Sequence, residues 1–369
     1  MFVTLLTSFQ ELYDIESDWN ALARGVPFRT REWLHGWWRH YGRQRQLFTP
    51  VVFDYEGQLI GVVPLYLERS ASHGRVLRPL GSGEVCSDYL SVLCAPEHET
   101  LVTDAVADLL CDEPSLKWDL FHWNGVDEDD SAVKKLTDAL AARGNVVHSR
   151  PAHRCWRMEL PGDWESYLAQ HSKSHRKQLR RFESRVLSTS RAELHCVQSS
   201  EELEKAWKIL VDLHQRRRQS LGEPGSFASE QFRGFHHEAC YWLLASKQLR
   251  LYWLDLDGEP IAAEYQLAGR GLTYCYQAGV DPERMAEDPG QLITMATIQK
   301  AIEEGQQGLD FLRGDEPYKA HWRAVPRQTH DYRIVSRRTA AKLRHNLWIA
   351  ADNMKHWVKG GMALMQGET

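Results

Sequence analysis

The chain has 369 residues, with 45 Lys and Arg against 50 Asp and Glu, a net charge of −5, and 43% of its residues apolar or aromatic. That apolar share excludes a disordered chain, the acidic balance gives no bulk-charge reason for a nucleic-acid partner, and the length predicts two domains. The 7 Cys include no CxxC pair, which excludes a zinc knuckle and a disulfide framework and points to the reducing cytoplasm.

In chain order, Met1 to Ser8 reads as a first strand that runs into acidic residues, not as a signal peptide. Residues 47–68 form two β-rich runs joined at Tyr55-Glu56-Gly57, a hairpin signal. A third strand is expected at Ser87 to Cys94, then a helix from about Glu97 to Leu110, then a closing strand at Lys117 to Trp123. The same order returns from residue 248: a hairpin around Asp257-Gly258, a strand at Gly271 to Val280, a helix from about Gln291 to Glu304, and a closing strand within Gly308 to Gly314. The repetition predicts an α+β fold of two tandem units, 1–150 and 151–335, each a mixed, mostly antiparallel sheet flanked by helices. A basic amphipathic helix is expected over 336–369. Its Arg337, Arg338, Lys342, Arg344, Lys355 and Lys359 accompany Leu343, Trp348 and Trp357. Such a helix suits either the protein's own second domain or peripheral contact with anionic lipid.

The segment richest in chemistry is LDFLRGDEPYKAHW, Leu309 to Trp322. A strand ends at Arg313, Gly314 allows a sharp turn, and Pro317 bars further ladder bonding. Acid, base, phenol and indole then crowd just past a strand end, where functional loops are usually placed. This segment resembles the closing motif of the BioF2-like acetyltransferase family, which includes the CelD proteins of cellulose biosynthesis. That family lies in the GNAT superfamily, near the FemAB peptidyltransferases. Asp212 to Ala239 is similar to the family's helix–loop–helix, and Val26 to Gly42 to its N-terminal segment. Arg218 departs from the pattern, standing where the family has an aromatic residue.

The resemblance implies two GNAT-like domains and an acyl group moved from acetyl-CoA or another acyl-CoA to an amine or hydroxyl. Small-molecule or saccharide acceptors of polysaccharide or cell-envelope biosynthesis are the ones it suggests. Acyl transfer from a thioester needs a base for the nucleophile and a proton for the leaving thiolate. Asp315 or Glu316 is the expected base, Tyr318 the proton donor, and Lys319 a cation for a phosphate or carboxylate. Glu264, on a predicted central strand, is a rival base if it faces inward. Pro289 and Gly290 precede a helix, and the amides near Gln291 and Leu292 are expected to cradle the coenzyme's pyrophosphate.

Arg313, Trp322, and His214 on its helix are expected to touch substrate. His214 also reads as a core residue. Arg176 and Arg180 belong to a basic run, residues 171–191, with Glu183 its one acid. That run suits a phosphorylated acceptor or the coenzyme's phosphates. It offers no stacking platform, so DNA is not expected and RNA is disfavoured. His236-His237-Glu238 point to different helix faces, and no metal is expected. Two rival functions follow: an aminoacyl-tRNA-dependent transferase of FemAB type, and a non-catalytic scaffold.

Overall fold

A computed structural model describes residues 1–113 and 115–350. In the first half the strands are β1 (Phe2–Leu6), β2 (Gln46–Leu47), β3 (Thr49–Phe53), β4 (Leu59–Val62), β5 (Leu65–Ser70), β6 (Gly74–Pro79), β7 (Leu93–Cys94), β8 (Leu120–Asp127) and β9 (Val146–Glu159). In the second they are β10 (Ala192–Cys196), β11 (Leu249–Leu256), β12 (Glu259–Ala268), β13 (Leu272–Val280), β14 (Gly308–Arg313) and β15 (Val325–Val335).

Local chemistry explains the hairpins. Between β3 and β4, the Asp54 carboxylate accepts the amides of Glu56 and Gln58, both at 2.9 Å, and Gly57 takes φ +82°. Between β11 and β12, Asp257 and Gly258 both have positive φ, 56° and 86°, the conformation of a two-residue turn that matches strand twist.

Strands β1, β3, β4 and β7 form one sheet. The other eleven form a second, in the order β10-β11-β12-β13-β14-β9-β15-β8-β6-β5-β2. Strand β9 crosses the division expected at 150/151. Residues 146–157 pair with β15, while Cys155 to Glu159 pair with β14. Strand β15 then pairs with β8, so the two halves share one continuous sheet. The core is shared too. Helix Arg31–Tyr41 lies so close to helix Glu230–Ala245 that a Cβ on Gly36 would fall 1.9 Å from the Trp242 ring.

Among the described residues two strand pairs of the large sheet are parallel, and they occupy matching places in the two halves. Strand β6 pairs with β8 over Val76 and Leu77 alone, and β13 with β14 over Leu272 to Tyr274 alone. Beyond those few residues each pair diverges. A gap between splayed parallel strands is a natural seat for a ligand.

The structure differs from expectation at two places outside the site. The strand expected at Ser87 to Cys94 is reduced to β7, because Cys86 and Tyr89 adopt positive φ (52° and 61°) and turn the chain toward the second half. Residues 339–350 are helical but pack on the first half rather than the second. Ala341 joins Val76, Leu120 and Val335, and Arg338 and Arg344 pair with Asp119 at 2.9 and 3.4 Å. The rest of the expected tail, including Lys355, Trp357 and Lys359, lies outside the described residues. Among the described residues no helix is long and apolar enough to cross a membrane.

Candidate active site

Two cavities open where β13 and β14 diverge. The first, about 450 Å³, runs from the start of helix Pro289–Glu303 past Val280, Ile293 and Phe311 to Trp322. The second, about 310 Å³, is closed on one side by Glu84, Cys86 and Asp88 of the first half, and on the other by Tyr276, Arg313 and Glu316. Arg218, Glu264, Ala278, Phe311 and Tyr318 line both. A carboxylate and a phenol therefore stand where the two spaces meet.

Strand alternation places Glu264 there. Its neighbour Tyr265 points to the opposite face, into the core with Phe235 and Cys240. Glu264 is 5% exposed and accepts the Thr297 hydroxyl at 2.9 Å. Burial pushes its carboxyl above the usual range, against the pull of hydrogen bonds from Gln266, Thr297 and Cys275. Tyr318 is half exposed; its phenol is raised by the part of the ring that is covered and by nearby Cys275, Glu264 and Glu316, and it keeps its proton at neutral pH. Just past Glu264, which pairs with Ala278, the β12–β13 register slips between Tyr265 and Gln266. The extra residue, Tyr276, is left unpaired with β12 at the wall of the second cavity.

The segment Leu309 to Trp322 is divided between site and scaffold. Leu312 and Gly314 have φ of +55° and +113°, and a Cβ on Gly314 would lie 2.5 Å from the Glu316 carboxylate, so glycine is required there. Lys319 is 2% exposed. Its ammonium donates to the carbonyls of Arg313 (2.8 Å), Gly314 (3.1 Å) and Leu312 (3.3 Å), and pairs with Glu316 at 2.9 Å. All its donors serve this turn, so the expectation that it holds a phosphate or carboxylate is corrected. Asp315 is corrected as a base. Its exposed carboxylate accepts Arg154 Nε and Trp156 Nε1, both at 3.0 Å, which hold it below the usual carboxylate range, and it lines neither cavity. Glu316 lines the second cavity. Trp322 is buried against the first.

Arg313 is oriented by a residue the sequence reading missed. Asp88, 1% exposed, accepts Arg313 NH2 at 2.6 Å, Nε at 2.9 Å and the backbone amide at 3.2 Å. Burial alone would raise this carboxyl, but Arg313 and His153 outweigh it and hold it below the usual range. The polar run Ser87-Asp88 inside a supposedly apolar strand was the available signal. Tyr89 adds a second link, donating to buried Asp310 at 2.6 Å, while Arg157 donates to the same oxygen at 2.9 Å.

On the donor side, Pro289, Gly290 and Gln291 line the first cavity, but Leu292 does not. Its side chain is fully buried with Ile261 and Ala262. The amides of Gln291 and Leu292 both turn back to the Asp288 carbonyl, at 3.0 and 3.1 Å, so the expected cradle from these two amides is corrected. At Gly290 a Cβ would meet only Val280 at 3.8 Å. His214 also lines this cavity. Its Nδ1 lies 3.1 Å from Gln215, and burial keeps the ring neutral. Its helix, Ser200–Ser220, crosses β13 so tightly that a Cβ on Gly279 would sit 2.4 Å from the His214 nitrogen. Arg176 and Arg180 line neither cavity, and Arg180 pairs with Glu165 at 2.6 Å. Their helix, Lys173–Phe182, nevertheless abuts the first cavity, because Gln178 donates to Gln291 at 3.2 Å.

Residues 173–320, which hold Glu264, Gly290, Tyr318 and the turn around Gly314, match the family described as acetyltransferase (GNAT) domain. This segment is a GNAT domain of the BioF2-like family. The likeness of α+β fold to solved structures extends over nearly all of the chain. The crystal structure of FemX superimposes with a TM-score of 0.63 at 10% identity, covering 90% of this chain and 97% of FemX. A conserved protein of unknown function from Bacteroides thetaiotaomicron gives 0.57 at 11% identity, covering 91% and 100%. The C-terminal DUF2156 domain of a putative lysylphosphatidylglycerol synthetase from Agrobacterium fabrum gives 0.55 at 10%, covering 91% and 95%. At such identities the likeness is one of fold. No curated protein matches the chain. The chain thus carries a GNAT acetyltransferase domain over residues 173–320.

Proposed function

We propose that the chain is an acyltransferase that takes its acyl group from a coenzyme A thioester and delivers it to an amine or hydroxyl of a small-molecule or saccharide acceptor. The observation that carries the reading is the shared wall: Glu264 and Tyr318 line both cavities, at the one place where donor and acceptor would meet. The apolar surface of Val280, Ile293 and Phe311 suits the pantetheine arm. Gly290 at the helix start and the guanidinium groups of Arg217 and Arg218 suit its phosphates. When bound, the thioester supplies the activated carbonyl. Glu264 removes the nucleophile's proton, and its raised pKa makes it a stronger base than an ordinary carboxylate. Tyr318 returns a proton to the departing sulfur. The bulge leaves Tyr276 unpaired with β12 beside the second cavity, and its backbone amide would serve as the donor to the developing oxyanion. Glu316 and Arg313 face the acceptor, and Asp88 keeps Arg313 in place.

A second reading has a specific observation behind it: the basic helix Lys173–Phe182 lies against the donor cavity, which suits an aminoacyl-tRNA donor. Titrating the purified protein with acetyl-CoA in a calorimeter separates the two. One-to-one binding that is weakened in Gly290→Asp supports the coenzyme. No binding of acetyl-CoA, together with nuclease-sensitive RNA in the purified protein, overturns it in favour of the tRNA donor.

A further inference from the structure

The other pair of splayed parallel strands also opens a cavity. Between β6 and β8 lies a space of about 760 Å³, and it meets the acceptor cavity at Cys86 and Arg313, which line both. Its walls carry Arg45, Arg78 and Arg150 besides Arg313. The acids lining it are Glu68 and Asp331, while Asp88 behind Arg313 neutralises that one guanidinium. An adjoining hollow of about 500 Å³, sharing Arg45 and Glu68, adds Arg43, Arg69 and Arg75 with no further acid. Six arginines thus face two carboxylates, in a chain whose net charge is −5.

Three of the guanidinium groups are held in position, Arg150 by Asp331 at 3.4 Å. One carboxylate, Glu68, serves two of them, accepting Arg78 Nε at 2.6 Å and Arg45 Nε at 3.3 Å. Arg45 also lies over the Trp37 and Tyr66 rings, at 5.6 and 5.2 Å from their centroids. Arg78 NH1 stands 3.0 Å from His122 Nδ1, which fixes the plane of its fork. Burial lowers the pKa of His122 to about 3, and the nearby Arg78 and Arg333 guanidinium groups add to the shift while Asp331 opposes it. Fixed arginine forks with excess charge match phosphate oxygens better than they match water.

We propose that this cleft receives a phosphate or diphosphate group of the acyl acceptor, whose nucleophile reaches past Arg313 to Glu264. Calling the ligand an acceptor rests on the acyl-transfer reading. The anion site itself stands on the arginines. The chemical class that follows is a phosphorylated amine or alcohol, such as a sugar phosphate, rather than a neutral saccharide.

The test is calorimetric titration of the full chain with pyrophosphate at low ionic strength. Binding is expected to the wild type, weakened about tenfold or more in Arg78→Gln and in Arg150→Gln, each of which removes one charge-assisted contact. Arg150 is exposed, so its variant keeps the fold even if Arg78→Gln does not. Lys177→Gln, on the basic helix of the second half, is expected to bind pyrophosphate like the wild type, and Arg78→Gln to bind acetyl-CoA like the wild type. The proposal is overturned by wild-type protein that does not bind pyrophosphate, by undiminished binding in both arginine variants, or by acetyl-CoA displacing pyrophosphate one for one. Loss of acetyl-CoA binding in the wild type would instead overturn the coenzyme reading and leave the anion site standing.

Discussion

Replacing Glu264 by Gln separates catalysis from stability, because the structure predicts opposite signs for the two. The side chains are nearly isosteric, and the Thr297 hydroxyl, 2.9 Å from the carboxylate, can donate to an amide oxygen equally well. What disappears is a base at the junction of the cavities. General-base catalysis contributes about 10²–10⁴ in rate, or roughly 3–5 kcal/mol of barrier. Stability runs the other way. The folded pKa of Glu264 lies above its unfolded value, so the native state favours the protonated form. Its contribution to folding is fully present below the unfolded pKa and is lost as pH rises through the folded one, where a buried charge must form. Gln never ionises, so the melting temperature of the variant should gain on the wild type as pH rises from about 5 to 8. Thiol release from acetyl-CoA, followed with a panel of amine and alcohol acceptors, reads the rate. Scanning calorimetry across pH reads the stability. Asp315→Asn, which removes a carboxylate outside both cavities, is the control and should leave the rate within about twofold. A Glu264→Gln enzyme within about threefold of the wild-type rate, or one whose relative stability falls with rising pH, refutes the reasoning.

Gly290→Asp fits sterically, since a Cβ there meets only Val280 at 3.8 Å. Acetyl-CoA affinity by calorimetry should therefore fall at least about tenfold with the melting temperature unchanged. Lys319→Met strips the turn carbonyls of Leu312, Arg313 and Gly314 of their shared donor, and chemical denaturation should show a loss of about 2–4 kcal/mol. Asp88→Asn leaves Arg313 without its counter-charge. The wild-type Asp88 pKa is depressed, so its contribution is present above the unfolded carboxylate pKa and is lost as pH falls through the folded one. The variant should be less stable at neutral pH, and its acid unfolding limb, followed by tryptophan fluorescence, should be flatter than the wild type's.

The two hairpins, the helices and the closing strands were legible in the sequence because they rest on local signals, whereas the strand expected at Ser87 to Cys94 was not. Asp257-Gly258 dictates its turn whatever surrounds it, and alternation along β12 determines that either Glu264 or Tyr265, not both, faces the site. Gly314 and Pro317 likewise end β14 by backbone sterics alone. Which carboxylate stands at the junction was not legible. Asp315 and Glu316 sit in the richest motif, yet Asp315 is drawn outward by Arg154 and Trp156, two residues of a strand some 160 positions earlier. Lys319 reads as a free cation until the carbonyls of the turn around it are seen to occupy its ammonium. The role of Asp88 depends on positive φ at nearby Cys86 and Tyr89, which carries a loop of the first half onto β14. Periodicity and turn chemistry act over a few residues, so they determine the elements. Desolvation and charge pairing depend on what the distant chain brings alongside, and only the tertiary structure decides them.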